Sequence, residues 1–550
     1  GNMSMSSNTT GGANSAFGKE ALYSNISGMR NTAIGYYVLR ALTTGSNNTA
    51  IGKDALMTNQ TGNNNTSLGY RTLELSTAHN NTAVGYKALL KNTTGSGTAV
   101  GFQALDANTT GVGNSAFGFE ALGGNTEGIN NHAFGNYALL NNTTGDGNVA
   151  MGISSLKSNT TGEFNISIGG NSLGDNNGSY NVSVGTAALE KNTSGNHSIG
   201  IGHFVLNKNT TGSSNIAIGS HALENNTNVG NQLAIGYEAL KSNTTGFGNH
   251  AIGYQALKSN VGGKYNLAVG VFSLMANTTG EYNASFGTEA SGSNTTGLKN
   301  TAIGHYALRL NSTGNENTAV GYRASAFHKG TKNTAVGFES LSSSGEGNEN
   351  TAIGSHALKS STSGHSNTAV GKSSLMDVVT GQYNTATGAH SLENTTGNHN
   401  TAIGYNTGAS LTSGSNNVYI GKDANASSGT STNEIAIGQG VTGAGTNTVS
   451  IGNTSITAIK GQVAFSTYSD KRIKRDIDDS KLGLDFIMKL RPVTYKMKNP
   501  ADYPNELLEA RFRDVPGNGP FVGEFERPAD DENTYDGLIA QEVKEAMDEV

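Results

Sequence analysis

The chain has 550 residues, among them 76 Gly, six Pro, no Cys and no Trp, with 35% hydrophobic residues and a formal net charge of only −6. Zero Cys excludes disulfides and thiolate metal sites. The charge-poor, mildly acidic balance argues against nucleic acid or an anionic membrane as partner, and no apolar run reaches membrane-spanning length. Low hydrophobicity without high charge also sets the chain apart from ordinary disordered sequences.

A repeat is already running at Gly11–Gly18. No signal peptide is therefore expected, and the chain reads as starting inside a longer protein. The unit is "NTAIGYxALxxNTTGxxN". Its central glycine falls at Gly18, Gly35, Gly52, Gly69, Gly85, Gly101 and Gly118 and continues to Gly438 and Gly452, in steps of 16 or 17 until a last step of 14. A fixed period near 17 predicts a solenoid. It is too short for a helix pair, and recurrent Gly, Asn and Thr disfavour helix. The fold class expected is mostly β: a long β-solenoid, or β-roll, shaft of about 17-residue coils. At ~4.8 Å per coil it would be a rod on the order of 125 Å long.

The residue before each central glycine is large and apolar in 26 of 27 units, Thr387 excepted, and the residue before that is Ala, Ser or Gly in 26 of 27, Tyr419 excepted. Leu recurs four positions after the glycine up to Leu392, with Ser291 and Ser325 as breaks. Adjacent strand residues face opposite sides. The expectation is that the Ile/Val/Phe ladder and the Leu ladder fill the coil, while the Ala/Ser ladder lets another surface, such as a neighbouring subunit, approach. "NTTG" reads as a turn, since Asn and Gly tolerate left-handed backbone. Tyr or Phe after the glycine (Tyr36, Tyr86, Phe102, Tyr237) reads as coil-to-coil packing.

Near residues 455–469 the composition changes. All six Pro lie beyond residue 469, and the last 82 residues hold 32 charged residues against 44 in the first 468. The domains expected are a repeat shaft over 1–454, a junction over 455–468 and a distinct domain over 469–550. Seven of the nine residues from Asp470 to Asp478 are charged.

"SDKRIKRDI" (469–477), "IMKLRPVTYKMK" (487–498) and "GLIAQEVKEAM" (537–547) occur in that order. Together they resemble the C-terminal intramolecular chaperone domain of endosialidases and phage tailspikes. The resemblance implies a small α+β domain that trimerises, helps the preceding shaft fold and then cuts itself off. It places a Ser–Lys dyad at Ser469 and Lys474, the scissile bond at Tyr468–Ser469, and supporting roles at Asp470 and Arg472. The family usually continues into a long C-terminal helix, so the domain is expected to be truncated at Val550. The repeat resembles the heads of trimeric autotransporter adhesins, which implies a homotrimer.

The proposed chemistry is sound in itself. A Ser hydroxyl needs a base, and Lys474 can serve as one when the cations Lys471, Arg472 and Arg475 crowd it. A spacing of five does not put Ser469 and Lys474 on one helix face, so a turn must join them. Read without the downstream blocks, the same stretch is a solvated helix start with Ser469 or Asp470 as N-cap.

Other sites carry less. Asn92, Asn108, Asn159, Asn209, Asn243 and Asn277 stand in Asn-x-Ser/Thr sequons and are candidate glycosylation positions, although coils ~4.8 Å apart would crowd the glycans. The twelve His show no ligand spacing, so no metal and no cofactor is expected. An irregular series Thr32, Thr49, Thr66, Ser115, His132, Val149 counts against an ice-binding ladder. Two functions compete. One is an extracellular homotrimeric fibre, a tail fibre on a virion or a cell-surface adhesin, with itself as partner and a receptor or glycan as target. The other is a structural filament or stalk, glycosylated or not, with a trimerisation domain that does not cut.

Overall fold

The computed structural model describes residues 2–460, 484–496 and 535–548. The chain divides into two compact units, Gly1–Thr457 and Ala458–Val550. The first is a parallel β-solenoid. Its short strands, β1 (Ser15–Phe17) through β27 (Val449–Ile451), form one 27-stranded sheet in which each strand pairs with the next coil's equivalent. The register follows the repeat: Ile201 lies opposite Ile218, and Ala217 opposite Ala234.

Outside the sheet the coils are also tied together. Leu39 N–H donates to Ala55 O at 3.0 Å and Leu56 N–H to Thr72 O at 3.0 Å. The ladder Leu and the residue two before it are left-handed in coil after coil, as at Glu238 (φ 55) and Leu240 (φ 51). Left-handed backbone costs an L-residue roughly 1 kcal/mol or more. A lone coil therefore gains too little to form, and only stacking offsets the strain.

The interior is narrow, and this reverses one expectation. The Ala/Ser residue at each strand centre faces inward: Ala33, Ala50, Ala217, Ala234 and their equivalents are fully buried, as is the Leu ladder. The Ile/Val/Phe residue beside it faces outward, with Ile34 41% and Ile403 44% exposed. The reason is space. A methyl group added at Gly200, which takes the Ala place, would lie 3.1 Å from Leu189 Cδ1 and 3.2 Å from Val205 Cγ1. The ladder Leu from the turn side already fills the coil, so only a small residue fits opposite it. The exceptions compensate. Where the inner residue shrinks to Gly200, Val205 replaces the Ala usual at its position. Where it grows to the buried Tyr419, the ladder Leu becomes Gly408, whose added methyl would sit 3.3 Å from the Tyr419 ring.

Two buried asparagine ladders flank this core. In one, Asn142 Nδ2 donates to Asn125 Oδ1 at 2.8 Å and to Gly145 O at 2.9 Å. In the other, Asn148 N–H donates to Asn131 Oδ1 at 3.0 Å and its Nδ2 to Gly162 O at 2.9 Å. An amide both donates and accepts, so one residue type can satisfy the coils above and below.

The second ladder ends on an acid. Glu434 N–H still donates to Asn417 Oδ1 at 2.8 Å, but its buried carboxylate has no donor to pass on. It accepts instead from Tyr419 Oη at 3.0 Å, Ser427 N–H at 3.2 Å and Gly445 N–H at 2.8 Å. Burial alone would raise the Glu434 carboxyl; the hydrogen bonds from Ser427, Gly445 and Tyr419 outweigh it and hold it below its ordinary value. A carboxyl depressed on folding stabilises fully above the unfolded pKa, ~4.3, and that stability is lost as pH falls through the folded value. The last coils, 418–451, should therefore lose hydrogen-exchange protection relative to mid-shaft coils as pH falls from 6 to 3. Glu434→Gln should remove most of that difference.

Candidate functional site

The largest feature of the shaft is the outer face of its sheet. Each strand turns two residues outward: the large apolar residue and the one two before it. At these positions none of the 27 strands carries Asp, Glu, Lys or Arg. Over the middle coils both are apolar, as in Ile199/Ile201, Ile216/Ile218 and Leu233/Ile235. The charged pairs lie elsewhere on the coil. Glu238 is gripped by Lys241 at 2.8 Å and Lys258 at 2.7 Å. Burial would raise its carboxyl, but the two lysines win and bring it down to about 2. With strands ~4.8 Å apart and two residues of ~3.3 Å across, 27 rungs make an uncharged strip on the order of 800 Å². Monomers rarely expose contiguous apolar patches beyond a few hundred Å².

The aromatic residues after the central glycine stack along the coils. Tyr86 and Phe102 have centroids 5.0 Å apart at 7°, and Tyr237 and Tyr254 lie 5.3 Å apart at 15°. Their faces cover one another, in keeping with the packing role read from the sequence.

The six sequon asparagines are not accessible. Asn92, Asn108, Asn159, Asn209, Asn243 and Asn277 are all buried. Their amides donate inward, as Asn92 does to Gly95 O at 2.8 Å and Asn209 to Asn192 Oδ1 at 2.9 Å. A glycan cannot be carried on an amide that forms the coil interior, so glycosylation at these positions does not fit the folded shaft. The Thr of each sequon belongs to the same turn, which is why the motif recurs.

In the second unit, the dyad and cleavage residues Tyr468, Ser469, Asp470, Arg472 and Lys474 lie outside the described residues. The framework around the two downstream blocks is described. Helix α1 (Leu484–Lys489) leads to β28 (Val493–Tyr495), which pairs antiparallel with β29 (Tyr535–Gly537), followed by α2 (Ala540–Asp548). Val493 lies opposite Gly537 and Tyr495 opposite Tyr535. Segments some 40 residues apart in sequence are thus brought into one motif. Arg491 clamps Glu542 through Nε at 3.2 Å and Nη2 at 2.5 Å, a bidentate geometry that fixes orientation. The guanidinium holds the Glu542 carboxyl below its usual range. This pair was not singled out from the sequence; both residues sit inside the quoted blocks, beside the strands that the β28–β29 pairing brings together. Ile487, Met488, Leu538, Ile539 and Met547 are exposed, so this unit also keeps apolar side chains in solvent. Among the described residues no helix is long and apolar enough to cross a membrane.

Comparison with known proteins gives one match: residues 469–550 fit the sequence model of the family described as chaperone of endosialidase. No curated protein and no solved structure matches the chain. The match begins at Ser469 and takes in all three ordered blocks. Residues 469–550 are accordingly a chaperone-of-endosialidase domain, and its place behind a long β-solenoid shaft fits a protein of the tail-fibre or endosialidase type.

Proposed function

We propose that this chain is the subunit of an extracellular homotrimeric fibre, a tail fibre or a surface adhesin. Its C-terminal domain assembles the shaft and then releases itself by cutting Tyr468–Ser469. One observation carries the reading: a chaperone domain follows a shaft whose sheet presents an uncharged face on every rung, with a large apolar residue on every rung but that of Thr387.

The two features need each other. Three copies in parallel have the same rung spacing, so each outward residue meets its own equivalents around a common axis, Ile against Ile at Ile201, Ile218 and Ile235. Until the copies meet, that face is a hazard for misassociation. Each coil is strained until its neighbour stacks, which makes starting the shaft the difficult step. A domain that holds three chains in register at one end answers both problems.

Cleavage then follows from Ser469 and Lys474. Lys474 acts as the base and takes the Ser469 hydroxyl proton. The oxygen adds to the Tyr468 carbonyl carbon and the C–N bond to Ser469 breaks. The resulting ester is hydrolysed by water, which leaves a Tyr468 carboxylate and a free Ser469 amine. Attack by a residue of another subunit is the alternative route. Asp470 and Arg472 support the motif.

The test is a denaturing gel with intact mass of the freshly expressed chain, beside Ser469→Ala and Lys474→Ala. The expected wild-type products are 1–468 and 469–550, with both variants whole. An uncut wild type that is nonetheless trimeric would favour the second reading, a structural stalk with a trimerisation domain that does not cut.

A further inference from the structure

Two rows of side chains border the outward sheet face. One stands two residues before the outward pair of each strand and includes Phe164, Tyr180 and Tyr282; the other stands two residues after it and includes Phe102, Phe119 and Tyr254. These rings are exposed in both rows. Rung by rung, the rows are complementary in size. Of the 27 rungs, ten carry Phe or Tyr in the row after the pair, five carry one in the row before it, and none carries both. Where the ring comes before, the residue after is small: Phe164 shares its rung with Gly170, Tyr180 with Thr186, Tyr282 with Thr288 and Tyr383 with Ala389. Where the ring comes after, Phe102 shares its rung with Ser96, Phe119 with Gly113 and Tyr254 with Gly248.

Packing inside one chain does not explain this exchange. Six steps of largely extended chain separate the two rows of a rung, up to ~20 Å. The rings stack along their own row, as Phe102 does on Phe119 at 4.9 Å, Phe164 on Tyr180 at 5.4 Å and Tyr265 on Tyr282 at 5.3 Å. Among the described residues no ring contact joins one row to the other. Residues that never touch in one chain have no reason to trade size within a rung, unless the two rows meet in an assembly.

We infer that the two rows form the seam between neighbouring copies of this chain: the row before the pair in one copy packs against the row after the pair in the next, at the same height, so that a ring from one side or the other fills the seam. The inference rests on the trimeric fibre reading and adds which edges meet and in what register. Around a ring of three parallel copies every contact is head-to-tail, so unlike edges must meet. The apolar strip cannot fix the register by itself. It repeats at every rung, and a slip of one rung leaves Ile201 beside Ile218 and Ile218 beside Ile235. The rings are not periodic. A slip of one rung would set Tyr254 against Tyr265 in one sense and Tyr405 against Tyr383 in the other, two rings where the seam has room for one. The bordering rows thus penalise wrong registers that the strip alone would accept.

The chain has no Cys, so introduced thiols report on this seam without background. The test is bridging of full-length double variants by dibromobimane, a thiol-to-thiol reagent about as long as one aromatic ring, read on a denaturing gel beside sedimentation of the same samples. Ser214→Cys with Ser220→Cys places thiols on both rows of one rung that carries no ring; Thr186→Cys with Ser214→Cys places them two rungs apart. The result expected is three linked chains from the first pair. The second pair should link at least about tenfold more slowly, because ~9.6 Å of offset along the shaft is added to the width of the seam. Ser214→Cys or Ser220→Cys alone should stay unlinked. A trimeric mass in which the matched pair fails to link, or in which the offset pair links as fast, would overturn the inference and leave the fibre reading standing. A single-chain mass would overturn both.

Discussion

Replacing Ile201, Ile235 and Val269 together with Asp is expected to convert an assembled fibre into single chains that keep the coil fold. All three residues lie on the outward sheet face at alternate rungs, so no two new carboxylates are direct cross-strand neighbours. In a single chain these positions meet solvent, where a polar substitution costs within about 0.5 kcal/mol. In the trimer each substituted rung would bring three carboxylates to one axis. An unpaired buried charge costs about 3–5 kcal/mol, and the apolar burial of three Ile or Val side chains per rung, about 1.5–3 kcal/mol each, is lost as well. The sum over three rungs exceeds what most interfaces can spare. Sedimentation should report one chain, while far-UV circular dichroism keeps the wild-type β signal. Persistence of the wild-type mass would mean that this face is not the interface.

Gly219→Ala should be among the most damaging single substitutions in the shaft, although it adds one methyl group. Gly219 has φ +129, a region closed to L-residues. Its added Cβ would lie 2.5 Å from the carbonyl oxygen and 2.6 Å from the carbonyl carbon of Gly236 in the next coil. Backbone cannot yield as a side-chain end can, because Gly236 is held in the same way by Gly253. Strain and clash together are expected to cost more than about 4 kcal/mol, the range reserved for special backbone sites and overpacked cores. Stacking makes the damage spread to both neighbouring coils. Limited proteolysis should show a new cut near residue 219, whereas Lys208→Ala at an exposed turn should leave the pattern unchanged.

Much of the shaft was legible because the sequence repeats itself 27 times. The period, the parallel register, the buried Leu ladder and the turn at "NTTG" all follow from residue spacing. What alternation cannot tell is which of two adjacent residues faces in. Size suggested the large Ile, but coil width decided otherwise, since Leu189 and Val205 leave no room beside Gly200. The signal was nonetheless present. Gly200 coincides with Val205 in the place of Ala, and Tyr419 coincides with Gly408 in the place of Leu. Such paired changes in size mark residues that share one interior, and they point to the small residue as the inner one. The sequon asparagines misled for a related reason: Asn reads as a surface turn residue, yet a ladder of amides such as Asn125 and Asn142 satisfies itself in the interior. In the second unit the three ordered blocks located the domain, and two of them meet through β28, β29 and the Arg491–Glu542 pair. Ser469 and Lys474 rest on the family pattern alone, since a Ser and a Lys five apart have no local geometry that spacing can fix.

The most direct test of the account is the molar mass in solution, by sedimentation equilibrium, of the shaft recovered after expression of the whole chain. The account predicts three chains, parallel and in register, with the sheet face closed to an apolar dye. A mass of one chain with the dye bound along that face would contradict it.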